Sequence, residues 1–210
     1  MVWPLAITPG PRQLTLLKIV LFAFCLLPLL QLGWNAWNEN LGANPIEFIT
    51  RALGTWTINF LLITLSVTPL RKITGWHWLL RLRRMLGLYV FFYAFLHLTT
   101  YLWLDKFFDW QAIAKDILKR PFITIGMSAF ALLLPLALTS SNTMLRRLGG
   151  KLWQRLHRAV YVIAILGVVH YWWLVKLNVT LPAVYAVLLA LLLGIRVHWR
   201  DPQRKIRRQA

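Results

Sequence analysis

The stretch Trp153–Lys176, WQRLHRAVYVIAILGVVHYWWLVK, decides the fold class. It is apolar and long enough to cross a hydrocarbon layer of ~30 Å at about 1.5 Å per residue, yet it carries His157 at its basic end and His170 within it. Ionisable side chains are costly inside a bilayer and tend to mark function. A third histidine, His97, lies in a comparable run, LGLYVFFYAFLHLTTYLWL.

Of the 210 residues 59% are apolar, and they gather into long runs separated by charged or turn-rich pieces. This pattern predicts an all-α polytopic membrane protein, a single domain over residues 1–210 with six spans near 14–32, 52–70, 85–104, 121–138, 157–177 and 181–197. The net charge of +18 lies in the short connecting pieces, where topology signals belong, and leaves no basic soluble domain to bind nucleic acid. The single cysteine, Cys25, sits inside the first run, so it forms no intramolecular disulfide and reads as a buried apolar residue. That run is too long for a signal-peptide core and lacks a small-residue cleavage site, so it is expected to remain as a helix. Pro69 is expected to end the second span, Pro121 to open the fourth and Pro135 to kink it. Residues 105–120, DKFFDWQAIAKDILKR, read as an amphipathic segment resting on the membrane surface.

Six spans put both termini on one side. With that side cytoplasmic, 18 of the 24 Lys and Arg residues fall inside, while five of the six acidic residues fall outside. The positive-inside rule therefore predicts cytoplasmic termini. Most of the twelve tryptophans, Trp34, Trp103 and Trp172 among them, lie near span ends as an aromatic belt.

Orientation gives each histidine a depth. His97 lies thirteen residues beyond Arg84, and His170 twelve beyond Arg158, so both sit roughly 18 to 20 Å from the inner edge. Two neutral imidazoles at one level on different helices suit the axial positions of a low-spin haem b; the plain alternative is two histidines that only join neighbouring helices. His157, about 20 Å from His170 along the helix, is either a ligand to a second haem or an interfacial histidine bonded to a loop. His77 and His198 read as solvated loop residues. Arg71, Arg83, Arg84, Arg146, Arg147 and Arg155 are topology determinants first, and candidates to hold haem propionates or a flavin phosphate second. No phosphate loop, dinucleotide fingerprint or activated nucleophile is present, and electrons are expected from a membrane quinol or a separate cytoplasmic reductase.

The segments LRRMLGLYVFFYAFLHLTTY, LTSSNTMLRRLGGKLWQRLHRAVYVIAILGVVHYWWLVK and TRALGTWTINFLLITLSVTPLR resemble the haem-binding membrane subunit of the bacterial periplasmic methionine sulfoxide reductase system. That family is itself similar to the transmembrane domain of ferric reductases and NADPH oxidases. The resemblance runs from about Thr15 to Trp199 and is most specific around His97 and around the His157 and His170 pair. It implies haem b on His97, His157 and His170, a flavin mononucleotide, and an inner-membrane location. It also implies passage of quinol-derived electrons to a periplasmic, molybdopterin-containing catalytic subunit. Relative to the oxidases, the sequence lacks a fourth histidine and a fused flavin and nicotinamide domain.

The expectation is thus electron transfer across a membrane, with docking of the partner on residues 34–51 and 105–120 and on Asp105, Asp109 and Asp116 in particular. A stand-alone ferric or quinone reductase is the alternative within redox chemistry, and a small transporter or assembly factor is the alternative outside it.

Overall fold

The computed structural model describes residues 9–175 and 178–199, which among themselves form helices and turns only. The first helix, α1 (Pro11–Trp37), opens with proline at its first position and with Gln13 accepting from the Gly10 N–H. The second, α2 (Pro45–Thr74), is capped by Asn44, which accepts from the Glu47 N–H, and ends on Gly75 at φ 74°, a left-handed turn that glycine adopts without a Cβ penalty. A 3-10 turn, His77–Arg81, leads into α3 (Arg83–Thr99), which continues as a π-helical turn over Thr100–Asp105. There follow α4 (Trp110–Lys119), α5 (Pro121–Leu138), α6 (Asn142–Leu148), α7 (Gly150–His157), α8 (Ala159–Leu174) and α9 (Thr180–His198).

Six helical spans are long and apolar enough to cross a membrane, matching the six expected. Their ends differ in instructive ways. Pro69 does not end α2, which runs five residues further. A proline removes the N–H that would bond the carbonyl four residues back, here Leu65 O, and the Arg196 guanidinium of α9 donates to that freed oxygen instead. The fifth span is interrupted at Arg158, between α7 and α8, so His157 and His170 stand on separate helical segments. Residues 176 and 177 of that expected span, and the basic tail from 200 onward, lie outside the described residues.

Packing is organised on α2. Half of its span is buried, against 11% for α1 and α9, whose outer faces are left to lipid. It pairs with α3; α5 pairs with α8; the two pairs meet through α3 with α5 and α2 with α8, while α9 lies on α8 and α2. In a bilayer, helices gain little from the hydrophobic effect and associate through close packing and interhelical hydrogen bonds. Phe60 of α2 meets both principles, stacking on Tyr89 at 5.6 Å and Tyr93 at 5.1 Å. Those tyrosines in turn donate to α1 backbone carbonyls, Tyr89 to Phe22 O at 2.9 Å and Tyr93 to Cys25 O at 2.8 Å. Cys25 is buried and free, as expected.

Tyr93, with no exposed surface, joins three helices, so Tyr93→Phe should destabilise the bundle by about 0.5–1 kcal/mol and Tyr93→Ala by about 3–5 kcal/mol. Unfolding of the detergent-solubilised protein measures both, and equal effects would mean that the ring carries nothing beyond its hydroxyl.

Candidate functional site

The helix pairing brings His97 of α3 and His170 of α8 together, with ring centres 6.2 Å apart and planes at 77°. The two are held in the same way. His97 Nδ1 lies 2.8 Å from Thr50 O on α2, and His170 Nδ1 lies 2.6 Å from Phe122 O on α5. A carbonyl oxygen only accepts, so each Nδ1 carries the proton and each Nε2 is the lone-pair nitrogen. Among the described residues neither Nε2 makes a hydrogen bond.

What lets each ring reach that carbonyl is a glycine one helical turn on. Thr50 O sits beneath Gly54, and Phe122 O beneath Gly126, each four residues back along its helix. A Cβ on Gly54 would stand 3.0 Å from His97 Cε1, and one on Gly126 would stand 2.9 Å from His170 Cε1 and Nδ1. Any larger residue would meet the imidazole. The sequence gives no sign of Thr50, Gly54, Phe122 and Gly126, although each glycine stands near the start of an apolar span, four residues after the carbonyl that accepts from the ring.

Two imidazoles that share one metal from opposite sides through Nε2, at metal–nitrogen bonds of about 2 Å, have ring centres roughly 6 Å apart. The observed spacing and the two fixed tautomers fit that arrangement. Among the described residues no group of three or more His, Cys, Asp or Glu could hold a metal ion.

His157 belongs to a different environment. Its Nε2 lies 3.1 Å from Thr139 Oγ1, and its ring stacks on Trp153 at 3.8 Å. The Thr139 hydroxyl points its proton at Pro135 O, 2.6 Å away, which leaves its oxygen to accept from His157 Nε2–H. Trp153 Nε1 donates to Thr139 O at 2.8 Å, closing a small network where α5 ends and α7 begins. The basic residues scatter around this same end: Arg84 donates to Asn142 Oδ1 at 2.6 Å, and Arg146, Arg147 and Arg155 are exposed, as are His77 and His198.

The end nearer His97 is closed by a charged knot. Lys106 lies 2.8 Å from Asp116 and 3.5 Å from Asp105; Arg120 reaches Asp116 at 3.3 Å, and Tyr101 donates to the same carboxylate. Of the three aspartates expected to face a partner, Asp116 is buried in this knot and Asp109 caps α4 by accepting from the Gln111 and Ala112 N–H groups. Both are therefore used within the fold. Asp105 and Asp109 stay exposed at this end, together with Phe107, Phe108 and Trp110; Phe107 and Phe108 hold left-handed backbone at φ 47° and 59°, which is strained for bulky residues.

A bundle of membrane-crossing helices that pairs one histidine from each of two helix pairs defines a class of polytopic membrane proteins with a paired-histidine centre. Residues 15–168 match the model of the ferric reductase like transmembrane component, and the chain belongs to that family. It is 64% identical over 190 residues to the "Protein-methionine-sulfoxide reductase heme-binding subunit MsrQ" of Azospira oryzae, covering 90% of this chain and 82% of that one. Proteins of the same name from Herminiimonas arsenicoxydans (57% identical; 93% of this chain, 91% of that one) and Ralstonia nicotianae (50%; 90% and 88%) are also similar. No solved structure matches the chain.

Burial would raise the pKa of Asp116, but the hydrogen bond from Lys106 and the charges of Arg120 and Lys106 outweigh it and hold the carboxyl below its ordinary value. A carboxyl depressed on folding stabilises above its unfolded pKa, and that contribution is lost as pH falls through the folded one. Stability should therefore decline below about pH 4, and Asp116→Asn should flatten that decline while lowering stability at neutral pH. An acid limb identical in wild type and variant would remove Asp116 from the knot.

Proposed function

We propose that this chain is the haem-binding, electron-transferring membrane subunit of a protein-methionine-sulfoxide reductase system. The reading is carried by one observation: His97 and His170 face each other at 6.2 Å with both Nδ1 protons committed to backbone carbonyls. The printed names of the relatives, heme-binding subunits of that reductase, agree with it.

On this reading His97 and His170 would hold a haem b through their Nε2 atoms. The haem supplies one-electron redox chemistry when bound. The protein residues do the rest. Thr50 O and Phe122 O fix the tautomer and orientation of the imidazoles, raising the basicity of each Nε2. With both histidines engaged, the group would serve electron transfer and not oxygen binding. Gly54 and Gly126 let the rings lie against α2 and α5, and the apolar walls of the four helices keep water out.

The chain lies in a bacterial inner membrane with both termini cytoplasmic, supported by the gathering of its basic residues at one end and of Glu39, Glu47, Asp105, Asp109 and Asp116 at the other. Electrons come from quinol or a cytoplasmic flavin reductase and leave on the periplasmic side to a molybdopterin-containing catalytic subunit. The His pair lies toward that side. His157 is the candidate ligand of a second haem, which it reaches only by exchanging its bond to Thr139. By family resemblance the chain also holds a flavin mononucleotide.

Reduced-minus-oxidised spectra with haem quantified per chain test the reading. Wild type should give a low-spin b-type spectrum that His97→Ala and His170→Ala abolish, with at most partial loss in His157→Ala. Gly54→Val and Gly126→Val should weaken haem retention about 10–100-fold by displacing a ring from its carbonyl. A colourless wild type, from cells with ample haem, would end the reading. Ferric chelate reduction by the purified chain without its partner would favour the stand-alone reductase instead.

A further inference from the structure

We infer that Thr100 is a positioning residue for His97 and acts through the hydroxyl of Thr50. That role rests on the proposed haem site and concerns how the chain presents one of its two imidazoles. Thr100 opens the π-helical turn that continues α3, and it is buried. Its hydroxyl donates to His97 O at 2.8 Å, and Thr50 Oγ1 of α2 lies 3.2 Å from its oxygen. The Thr50 carbonyl is also the one that accepts from His97 Nδ1. These contacts close a loop from the His97 ring to the Thr50 backbone, from the Thr50 hydroxyl to the Thr100 hydroxyl, and from there back to the His97 backbone. One residue of α2 thus holds His97 by its ring and, through Thr100, by its main chain.

Threonines in apolar helices commonly satisfy their hydroxyl by bonding back along their own helix. Thr57, Thr64 and Thr99 do only that, each donating to the carbonyl four residues earlier. Thr50 and Thr100 differ because their hydroxyls also meet each other between helices. The Thr50 proton is shared, since Oγ1 also lies 2.7 Å from Ile46 O. Linked hydroxyls polarise one another where the dielectric is low, so the loop is stiffer than either bond alone. Single π-helical turns are rare and concentrate at functional sites, and this one begins at the residue that closes the loop.

His170 has no such loop among the described residues. Its carbonyl comes from Phe122, so a phenyl ring takes the place of the Thr50 side chain. Three residues after His170, where Thr100 follows His97, stands Trp173. Neither side chain carries a hydroxyl. Phe122 and Trp173 instead line, with Pro121, an open cleft of about 210 Å³. His97 is therefore fixed at two points and His170 at one. Any give in the pair is confined to the His170 side.

The full purified chain, isotope-labelled at the histidine nitrogens and kept reduced so that any bound haem iron is low-spin and diamagnetic, provides the test. Hydrogen exchange of the Nδ1 proton, followed by magnetic resonance, reads the His97 bond directly. Thr100→Val keeps the shape of the side chain, leaves Thr50 bonded to Ile46 O and leaves His97 O bonded to the N–H of residue 100, so no buried donor is orphaned. It should speed exchange at His97 about 2–10-fold and leave His170 at the wild-type rate, whereas Thr100→Ser should keep the wild-type rate at both. Thr50→Val, which retains the accepting carbonyl, should act like Thr100→Val and carries the test if that variant does not fold. Equal rates in wild type and the valine variants overturn the role, as does Thr100→Ser behaving like Thr100→Val. Faster exchange at both histidines overturns it too, because a general loosening of the bundle has that effect. Haem is quantified on the same samples. A colourless chain with the His97 effect intact ends the haem reading and leaves the positioning role, and a coloured chain without the effect does the reverse.

Discussion

Everything at the centre of this molecule depends on two hydrogen bonds from imidazole Nδ1 to a helix carbonyl. A helix carbonyl is ordinarily shielded by the side chain one turn further on and already engaged by the N–H there. Glycine at that position removes the shield, so a ring from the adjacent helix lies against the backbone and donates to the oxygen. The arrangement occurs twice, with His97 over Gly54 and Thr50, and with His170 over Gly126 and Phe122. Each copy belongs to one tight helix pair, α2 with α3 and α5 with α8. Docking the pairs brings the two ring centres to 6.2 Å.

The rest of the bundle serves that placement. Phe60, Tyr89 and Tyr93 lock α2 to α3 and tie both to α1. Arg196 repairs α2 where Pro69 breaks its ladder, so α9 is anchored by a guanidinium and not by packing alone. The charged knot around Asp116 closes the end of the bundle nearer the histidines, and the Thr139, Trp153 and His157 network closes the other. Glu39, Glu47, Asp105, Asp109 and Asp116 lie at one end of the bundle, most of the Lys and Arg residues at the other, and the paired imidazoles nearer the first.

Much of this was legible in the sequence because a bilayer imposes a coarse and strong constraint. Six apolar runs gave six spans, and counting residues from Arg84 and Arg158 put His97 and His170 at one level, where the structure brings them together. Other features had no local signal. That Pro69 would lie inside a helix depends on Arg196, 127 residues later. The interruption at Arg158 has neither proline nor glycine to announce it. Asp116 looked like a surface charge because sequence shows that an acid is present but not which cations face it, and the capping role of the exposed Asp109 was hidden for the same reason. Gly54 and Gly126 read as small residues in apolar helices until the rings above them were seen.

The most direct measurement is electron paramagnetic resonance of the oxidised, purified chain, wild type and His170→Ala. Two axial imidazoles with planes near perpendicular, here 77°, leave the iron low-spin with a strongly anisotropic signal. The wild type should give that signal and His170→Ala should lose it, while any haem retained becomes high-spin. A high-spin wild type, or a low-spin signal unchanged in His170→Ala, would contradict the facing of His97 and His170 across one iron.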